Sequence, residues 1–268
     1  MRTADSLLRS ADLPRAEARA LLASALRVTR ERLIAFPETE VSPSALAAYT
    51  ALAARRREGE PLAYLLGEKE FYGRRYAVTP DVLVPRPDTE SLVEVALGCL
   101  SQLTAPRVLD LGTGSGCIAI TLQVERPDAH VVATDVSAAA LELARANALD
   151  LGARVTFRQG NWYAAIDPAE QFDLIVSNPP YVAAADPHLD ALRHEPAMAL
   201  TDAQDGLQCL SILIAGARAH LRAGAWLALE HGYDQSPAVA RLLREAGFRE
   251  LSVRRDAGGQ PRVSFGCV

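Results

Sequence analysis

The chain has 268 residues, 49% apolar and 23% charged, which is the composition of a soluble globular protein with room for one large domain and a small one. No apolar run approaches the ~18 residues of a membrane span and the first residues lack the layout of a signal peptide, so a cytoplasmic protein is expected. The formal charge of −5 is uneven: residues 1–75 hold 13 Lys+Arg against 10 Asp+Glu, whereas residues 76–268 hold 15 against 23, a poor electrostatic match for a nucleic-acid backbone.

Residues 1–58 read as helices. Leu7, Leu8, Ala18, Leu21, Leu22, Ala25 and Leu26 recur at three- and four-residue steps, Pro14 suits the first turn of a second helix, and Pro43 after Ser42 opens another. Three or four such helices form a small bundle, assigned to residues 1–73. Arg55-Arg56-Arg57 within it reads as a solvated helix face. From Arg74 to Pro87, β-formers alternate with turn residues (Tyr76, Val78, Pro80-Asp81, Val82, Val84, Pro85), the pattern of an extended or hairpin linker over residues 74–87.

Residues 88–268 alternate helix and strand. The expected order is helix 91–103, strand 107–111, helix 117–125, strand 130–134, helix 138–149, strands 155–158 and 172–177, a long loop, helix 204–221, strand 225–230, a helix from Ser236-Pro237 to Gly247, and strands 250–254 and 262–266. Unbroken apolar strands such as Leu174-Ile175-Val176 imply burial on both faces. The fold class is therefore α/β, a Rossmann-like domain with a mostly parallel sheet and an antiparallel last strand, preceded by the all-α bundle and the linker.

The first of these strands runs into Asp110-Leu111-Gly112-Thr113-Gly114-Ser115-Gly116, a glycine-rich turn that lets backbone approach a ligand closely. Asp135, at the end of the next strand, is placed to hydrogen-bond ribose hydroxyls. A dinucleotide fingerprint requires Gly or Ala where Cys117 stands, and Asp110 has no use beside a pyrophosphate. A carboxylate there suits a cationic ligand, a sulfonium carrying an amino acid, and this favours S-adenosylmethionine over a dinucleotide. Trp162 follows the third strand, where its indole can pack on adenine. Cys117 reads as a small residue behind a tight turn; the cysteines lack the spacing of a zinc site or a disulfide framework, and no metal is expected.

The strand ending at Ser177 delivers Asn178-Pro179-Pro180-Tyr181 to the same edge. A planar –NH2 can donate to the Asn178 side-chain oxygen and to the Pro179 carbonyl, while Tyr181 stacks on the acceptor. Pro180 stiffens the turn. Two acceptors on a delocalised nitrogen raise its electron density and aim it at the methyl donor. Acceptors on DNA, RNA or protein share this requirement.

Carrying these motifs, the chain resembles the HemK-type release factor glutamine methyltransferases. The resemblance spans almost the full length and rests also on Gly59 to Leu65, Phe71-Tyr72-Gly73, Leu83 to Glu90, Glu195-Pro196, Asp205-Gly206-Leu207 and Leu229 to Gly232. It implies methylation of the glutamine of the Gly-Gly-Gln loop in class 1 release factors, with S-adenosylhomocysteine as product. Cofactor contacts are implied at Gly112 to Gly116, Asp135, Trp162 and Asn178, and the target amide at Asn178 to Tyr181. The resemblance also implies that the helical domain contacts the release factor; Arg86 and Glu90 are read either as shaping the entrance to the cofactor site or as holding a salt-bridged structural role. A monomer without stable nucleic-acid or membrane binding is expected. Position 161 is Asn where an acidic residue is common in the family. An adenine or guanine amino-methyltransferase, a ribosomal-protein glutamine methyltransferase and a non-catalytic cofactor-binding module are the competing readings. His231 is expected to support the site, and Gly258-Gly259-Gln260, which matches the target tripeptide, to form a hairpin turn.

Overall fold

The computed structural model describes residues 2–268, which separate into one compact unit ending at Glu68 and another beginning at Lys69. The first holds α1 (Ala4–Arg9), α2 (Arg15–Leu26), α3 (Arg30–Ala35), α4 (Pro43–Arg57) and α5 (Leu62–Leu66). Side-chain caps start three of them: Thr3 in a reciprocal box with Ser6, Thr29 on the Arg32 N–H, and Ser42 on the Ala45 N–H with Pro43 as the first helical residue. Pro14 stands one residue before α2 rather than in its first turn. The apolar stripes meet in a cluster of Leu7, Leu8, Leu21, Leu22, Leu33, Tyr49 and Leu65. The helical region runs past residue 58 because Pro61 opens α5 and Gly67, at φ +74°, closes it. Within the arginine triplet, Arg56 pairs with Glu17 and Arg55 with Glu60, so two of its three charges are neutralised inside the unit.

A hairpin of β1 (Glu68–Phe71) and β2 (Arg74–Ala77) follows, all but Glu68 belonging to the second unit. Tyr72 and Gly73 both adopt positive φ, 50° and 70°, the two-residue turn that matches strand twist. The hairpin lies across the expected domain limit at residue 73, because a turn at Tyr72-Gly73 needs a strand on each side. The remaining elements are α6 (Glu90–Cys99), β3 (Arg107–Leu111), α7 (Cys117–Glu125), β4 (His130–Asp135), α8 (Ala138–Asp150), β5 (Val155–Gln159), β6 (Phe172–Ser177), α9 (Ala197–Leu200), α10 (Gln208–His220), β7 (Leu221–Glu230), α11 (Ser236–Glu245), β8 (Arg249–Arg255) and β9 (Pro261–Cys267).

Seven strands form one sheet in the order β5-β4-β3-β6-β7-β9-β8. Strands β3 to β7 pair in parallel, and β9 is antiparallel to both β7 and β8. The order reverses beside β3, so the carboxyl ends of β3, β4 and β6 surround a topological switch point, where such sheets bind ligands. Alternate residues feed two cores. Val108, Leu174 and Val176 pack with α6 and α7, whereas Leu109, Ile175 and Leu227 pack with α10 and α11.

Three boundaries differ from the sequence reading by four residues. Helix α6 stops at Cys99, where Arg126 donates to the Leu100 and Leu103 carbonyls and satisfies the chain end that further helix would have covered. Helix α10 starts at Gln208 rather than 204 because Asp202 accepts from the backbone N–H groups of Gln204, Gly206 and Gln208, fixing a loop there. Its other end passes directly into β7, which begins four residues earlier than expected. Gly258-Gly259 turns between β8 and β9, with Gly259 at φ +81°.

Candidate active site

The carboxyl ends of β3, β4 and β6 open onto a cavity of about 460 Å³, within the ~300–1,000 Å³ that small-molecule sites occupy. Eight of the twelve residues expected from sequence line it: Gly112, Thr113, Gly114, Ser115, Asp135, Trp162, Asn178 and Pro180. The turn after β3 is fixed by three interactions. Gly112 and Thr113 N–H both donate to the Thr134 carbonyl at 2.9 Å, and Gly114 N–H donates to Asp135 Oδ2 at 2.9 Å. Asn147, buried on α8, bridges the hairpin to this turn, accepting from Ala77 N–H at 2.8 Å and donating to the Ser115 carbonyl at 2.9 Å.

Gly112 has φ +74°, and a Cβ there would lie 3.1 Å from the Trp162 ring. Trp162 itself holds φ 49°, an uncommon conformation for a bulky residue and one that concentrates at functional sites. The turn and the indole thus make one wall together, with Asp135 on it. Asp135 Oδ1 accepts from Ser137 N–H at 2.9 Å, which orients the carboxylate along the cavity edge. A glycine-rich turn, a carboxylate at a strand end and an indole on one wall fit S-adenosylmethionine.

Four expected residues sit behind the lining. Asp110 points into the sheet–helix interface, fully buried; its Oδ2 accepts from Thr113 Oγ1 at 2.7 Å and its Oδ1 has no partner among the described residues. Burial pushes its carboxyl up to about 7. Asp110 therefore holds the turn through Thr113 from behind the cavity lining. Gly116, at φ +82°, is needed for packing, since a Cβ would fall 2.7 Å from Ile120 Cδ1. Pro179 is buried. Tyr181 turns away from the cavity, packs on the α10–α11 side and donates its hydroxyl to Glu230 Oε1 at 3.2 Å, so it anchors the loop rather than offering a face. Cys117 is buried, and its thiol is pushed up to about 12, the opposite of a helix-activated nucleophile.

At the acceptor end, Asn178 Nδ2 donates to Thr89 Oγ1 at 3.1 Å. Thr89 belongs to the stretch Leu83 to Glu90, of which Leu83, Pro85, Arg86 and Thr89 line the cavity. Arg86 pairs at 2.5 Å with Glu195, whose other oxygen accepts from Val84 N–H at 3.1 Å, so this wall is pinned to the loop that carries Ala197 and Met198. Glu90 lies elsewhere and accepts from Tyr72 N–H at 2.8 Å, bracing the hairpin rather than the entrance. His231, wholly buried, spans Gly232 O and Ser264 Oγ. Sequence reasoning missed Thr89, Val136, Ala140, Met198 and Cys209 as lining residues. Only Thr89 carried a signal, as a hydroxyl embedded in a recognised stretch.

The sheet order and this site define a class I S-adenosylmethionine-dependent methyltransferase. A family model described as the methyltransferase small domain matches residues 89–231, and one described as the PrmC N-terminal domain matches residues 1–67. The release factor glutamine methyltransferase of Bordetella pertussis is 52% identical over 264 residues, covering 98% of this chain and 98% of that protein. Its Neisseria gonorrhoeae counterpart is 49% identical, covering 98% and 97%. The chain belongs to the release factor glutamine methyltransferase family. Among solved structures, a 16S rRNA N2 G1207 methyltransferase from Thermus thermophilus, in complex with AdoMet and guanosine, aligns with TM-score 0.55 at 22% identity, covering 75% of this chain and 49% of that one. A methyltransferase from Pyrococcus furiosus aligns with TM-score 0.53 at 20% identity, covering 81% and 96%. These two likenesses concern the fold alone.

Proposed function

We infer that this protein transfers the methyl group of S-adenosylmethionine to the side-chain amide nitrogen of the Gly-Gly-Gln glutamine in class 1 release factors. The observation that carries the chemistry is Asn178. Its nitrogen is engaged by Thr89 at the cavity edge, which leaves its side-chain oxygen to accept a hydrogen from the target –NH2. The substrate follows from family membership along nearly the whole chain. On this reading the enzyme works as a cytoplasmic monomer that binds no nucleic acid stably, and its helical unit meets the release factor.

When bound, the cofactor supplies an electrophilic methyl on a sulfonium. The chain supplies the rest. Asp135 would accept the ribose hydroxyls, Trp162 would cover the adenine, and the backbone of Gly112 to Ser115 would admit the donor closely. Asn178, whose side chain borders the cavity, would accept one amide hydrogen and so help direct the nitrogen lone pair at the methyl. Transfer would form the N–C bond as the S–C bond breaks, leaving S-adenosylhomocysteine, with one amide hydrogen lost from nitrogen as a proton to solvent. Orientation of this kind is worth roughly 7–11 kcal/mol of barrier.

The assignment is tested by offering labelled cofactor with purified release factor, with the same factor carrying Gln→Ala in its target loop, and with duplex DNA. Label is expected only on the unaltered release factor; label on DNA, or equal label on the Ala form, overturns the assignment. Asp135→Ala is expected to weaken cofactor binding at least about tenfold by calorimetry, since hydrogen bonds to a charged group contribute ~1.5–3 kcal/mol each. An unchanged dissociation constant would remove Asp135 from the cofactor site.

A further inference from the structure

Trp162 keeps its place in the cavity wall at a conformational cost. It holds φ 49°, and a residue stays in that shape only where its surroundings over-determine it. The next residue supplies the constraint. Tyr163 leaves the short 3-10 turn Trp162–Ala165 on the side of α10, where three residues of that helix receive it. Its hydroxyl donates to the Leu213 carbonyl at 2.7 Å. Its ring stacks on that of His220, with centroids 5.1 Å apart and planes within 5° of parallel. Between these two contacts Gly216 leaves a notch: a Cβ there would fall 2.5 Å from Tyr163 Cε2 and 2.6 Å from its Cδ2.

The spacing makes these three residues one receptor. Positions 213, 216 and 220 advance by three and then four, so they share a face of α10. Glycine inside a helix costs stability relative to alanine, and Gly216 does not end α10, which runs on to His220. The close approach of the Tyr163 ring accounts for it. His220 is buried, and its Nδ1 lies 3.3 Å from the Glu170 carbonyl oxygen, which fixes the ring that Tyr163 stacks on. Tyr163 itself does not border the cavity, whereas Trp162 does. On the cavity side the indole stands so close to Gly112 that a Cβ there would be 3.1 Å from Cζ3, which leaves it little room to shift toward the turn.

We propose that Tyr163, seated in the Gly216 notch of α10, is a positioning residue that holds the Trp162 indole in the cavity wall and so sets affinity for the adenine end of the cofactor. This inference rests on the reading of Trp162 as the residue that covers the adenine. Freed from the anchor, Trp162 relaxes out of its left-handed conformation and carries its ring away from Gly112. Binding must then select the strained conformer from a mixture, and the apparent affinity falls by the fraction that remains competent. The acceptor end rests on Thr89 and Asn178, which belong to other elements, so turnover at saturating cofactor is untouched.

The test measures cofactor Kd by calorimetry, and kcat at saturating cofactor and release factor, for wild type, Trp162→Ala, Tyr163→Ala, Tyr163→Phe, Gly216→Ala and the Tyr163→Ala/Gly216→Ala pair. Trp162→Ala is expected to raise Kd about 5–150-fold, the scale of base–aromatic stacking. Tyr163→Ala and Gly216→Ala should each raise it about tenfold, within that same scale, and leave kcat at the wild-type value. Tyr163→Phe keeps the ring, and the Leu213 carbonyl keeps its partner within the helix, so its Kd should stay close to wild type. In the pair the notch has no ring to displace, so Gly216→Ala should add nothing to Tyr163→Ala. In a Trp226→Phe background Trp162 is the only tryptophan, and its fluorescence anisotropy without cofactor should fall in Tyr163→Ala. The proposal is overturned by wild-type Kd in Tyr163→Ala or Gly216→Ala, by losses that fall on kcat, by Tyr163→Phe failing like Tyr163→Ala, by additive losses in the pair, or by unchanged anisotropy. If Trp162→Ala itself binds cofactor like wild type, the reading of Trp162 fails and takes this inference with it. A loss in Trp162→Ala with unimpaired Tyr163 and Gly216 variants removes this inference alone.

Discussion

Asn178→Ala is expected to lower kcat on release factor by about 10²–10³-fold, the cost of deleting one preorganised polar partner of a reacting centre. Cofactor affinity should remain, because Gly112 to Ser115, Asp135 and Trp162 make the donor end of the cavity without Asn178. The split follows from the geometry. Alanine removes the oxygen proposed to accept from the target –NH2 and releases Thr89 Oγ1. The nitrogen keeps its delocalised lone pair, and one of its hydrogens loses its partner. Single-turnover methyl transfer and cofactor titration on the same preparation check both halves. Turnover equal to wild type would mean that the amide is held elsewhere. Equal loss of cofactor affinity would mean that Asn178 belongs chiefly to the donor end.

How much of this was legible before folding depends on the range of the interactions. Gly112, Asp135 and Asn178 announce themselves because a strand end followed by glycine, carboxylate or Asn-Pro-Pro is a local pattern, and the parallel sheet brings strand ends together. Thr89 was invisible as a partner of Asn178, since 89 residues separate them and no local rule pairs a 3-10 turn with a strand end. Tyr181 was misjudged for the same reason: an aromatic after two prolines suits stacking, but the buried Glu230, 49 residues onward, takes its hydroxyl and turns the ring inward. Asp110 was read by its charge, yet full burial raises its carboxyl and Thr113 satisfies one oxygen, so its influence on the ligand is indirect. Local patterns pointed to the candidate site; long-range hydrogen bonds decide which residues face the cavity.

The same distinction gives Gly206 a larger role than its surface loop suggests. Gly206→Ala is expected to lower turnover by about 10²-fold, the scale of a ~1 Å misplacement at a reacting centre. Gly206 sits at φ +81°, and a Cβ there would overlap the Tyr181 carbonyl oxygen and lie 2.8 Å from Gln235 Nε2. That amide clasps both strands of chain, donating to Tyr181 O at 2.9 Å and to Gly206 O at 3.2 Å while Gly232 N–H holds its oxygen at 2.8 Å. Asp202, which lines the cavity, pins Gly206 N–H from the other side at 3.0 Å, so the loop cannot retreat cheaply. The added methyl must instead push the Tyr181 carbonyl, and with it the Asn178-to-Tyr181 segment whose position sets the attack geometry. Gln235→Ala loosens the clasp without inserting an atom and should act in the same direction with a smaller effect. Cofactor affinity should survive both changes, because neither Gly206 nor Gln235 borders the cavity. Wild-type kcat in Gly206→Ala, measured alongside its thermal midpoint to confirm folding, would show that the acceptor segment is fixed by its prolines alone.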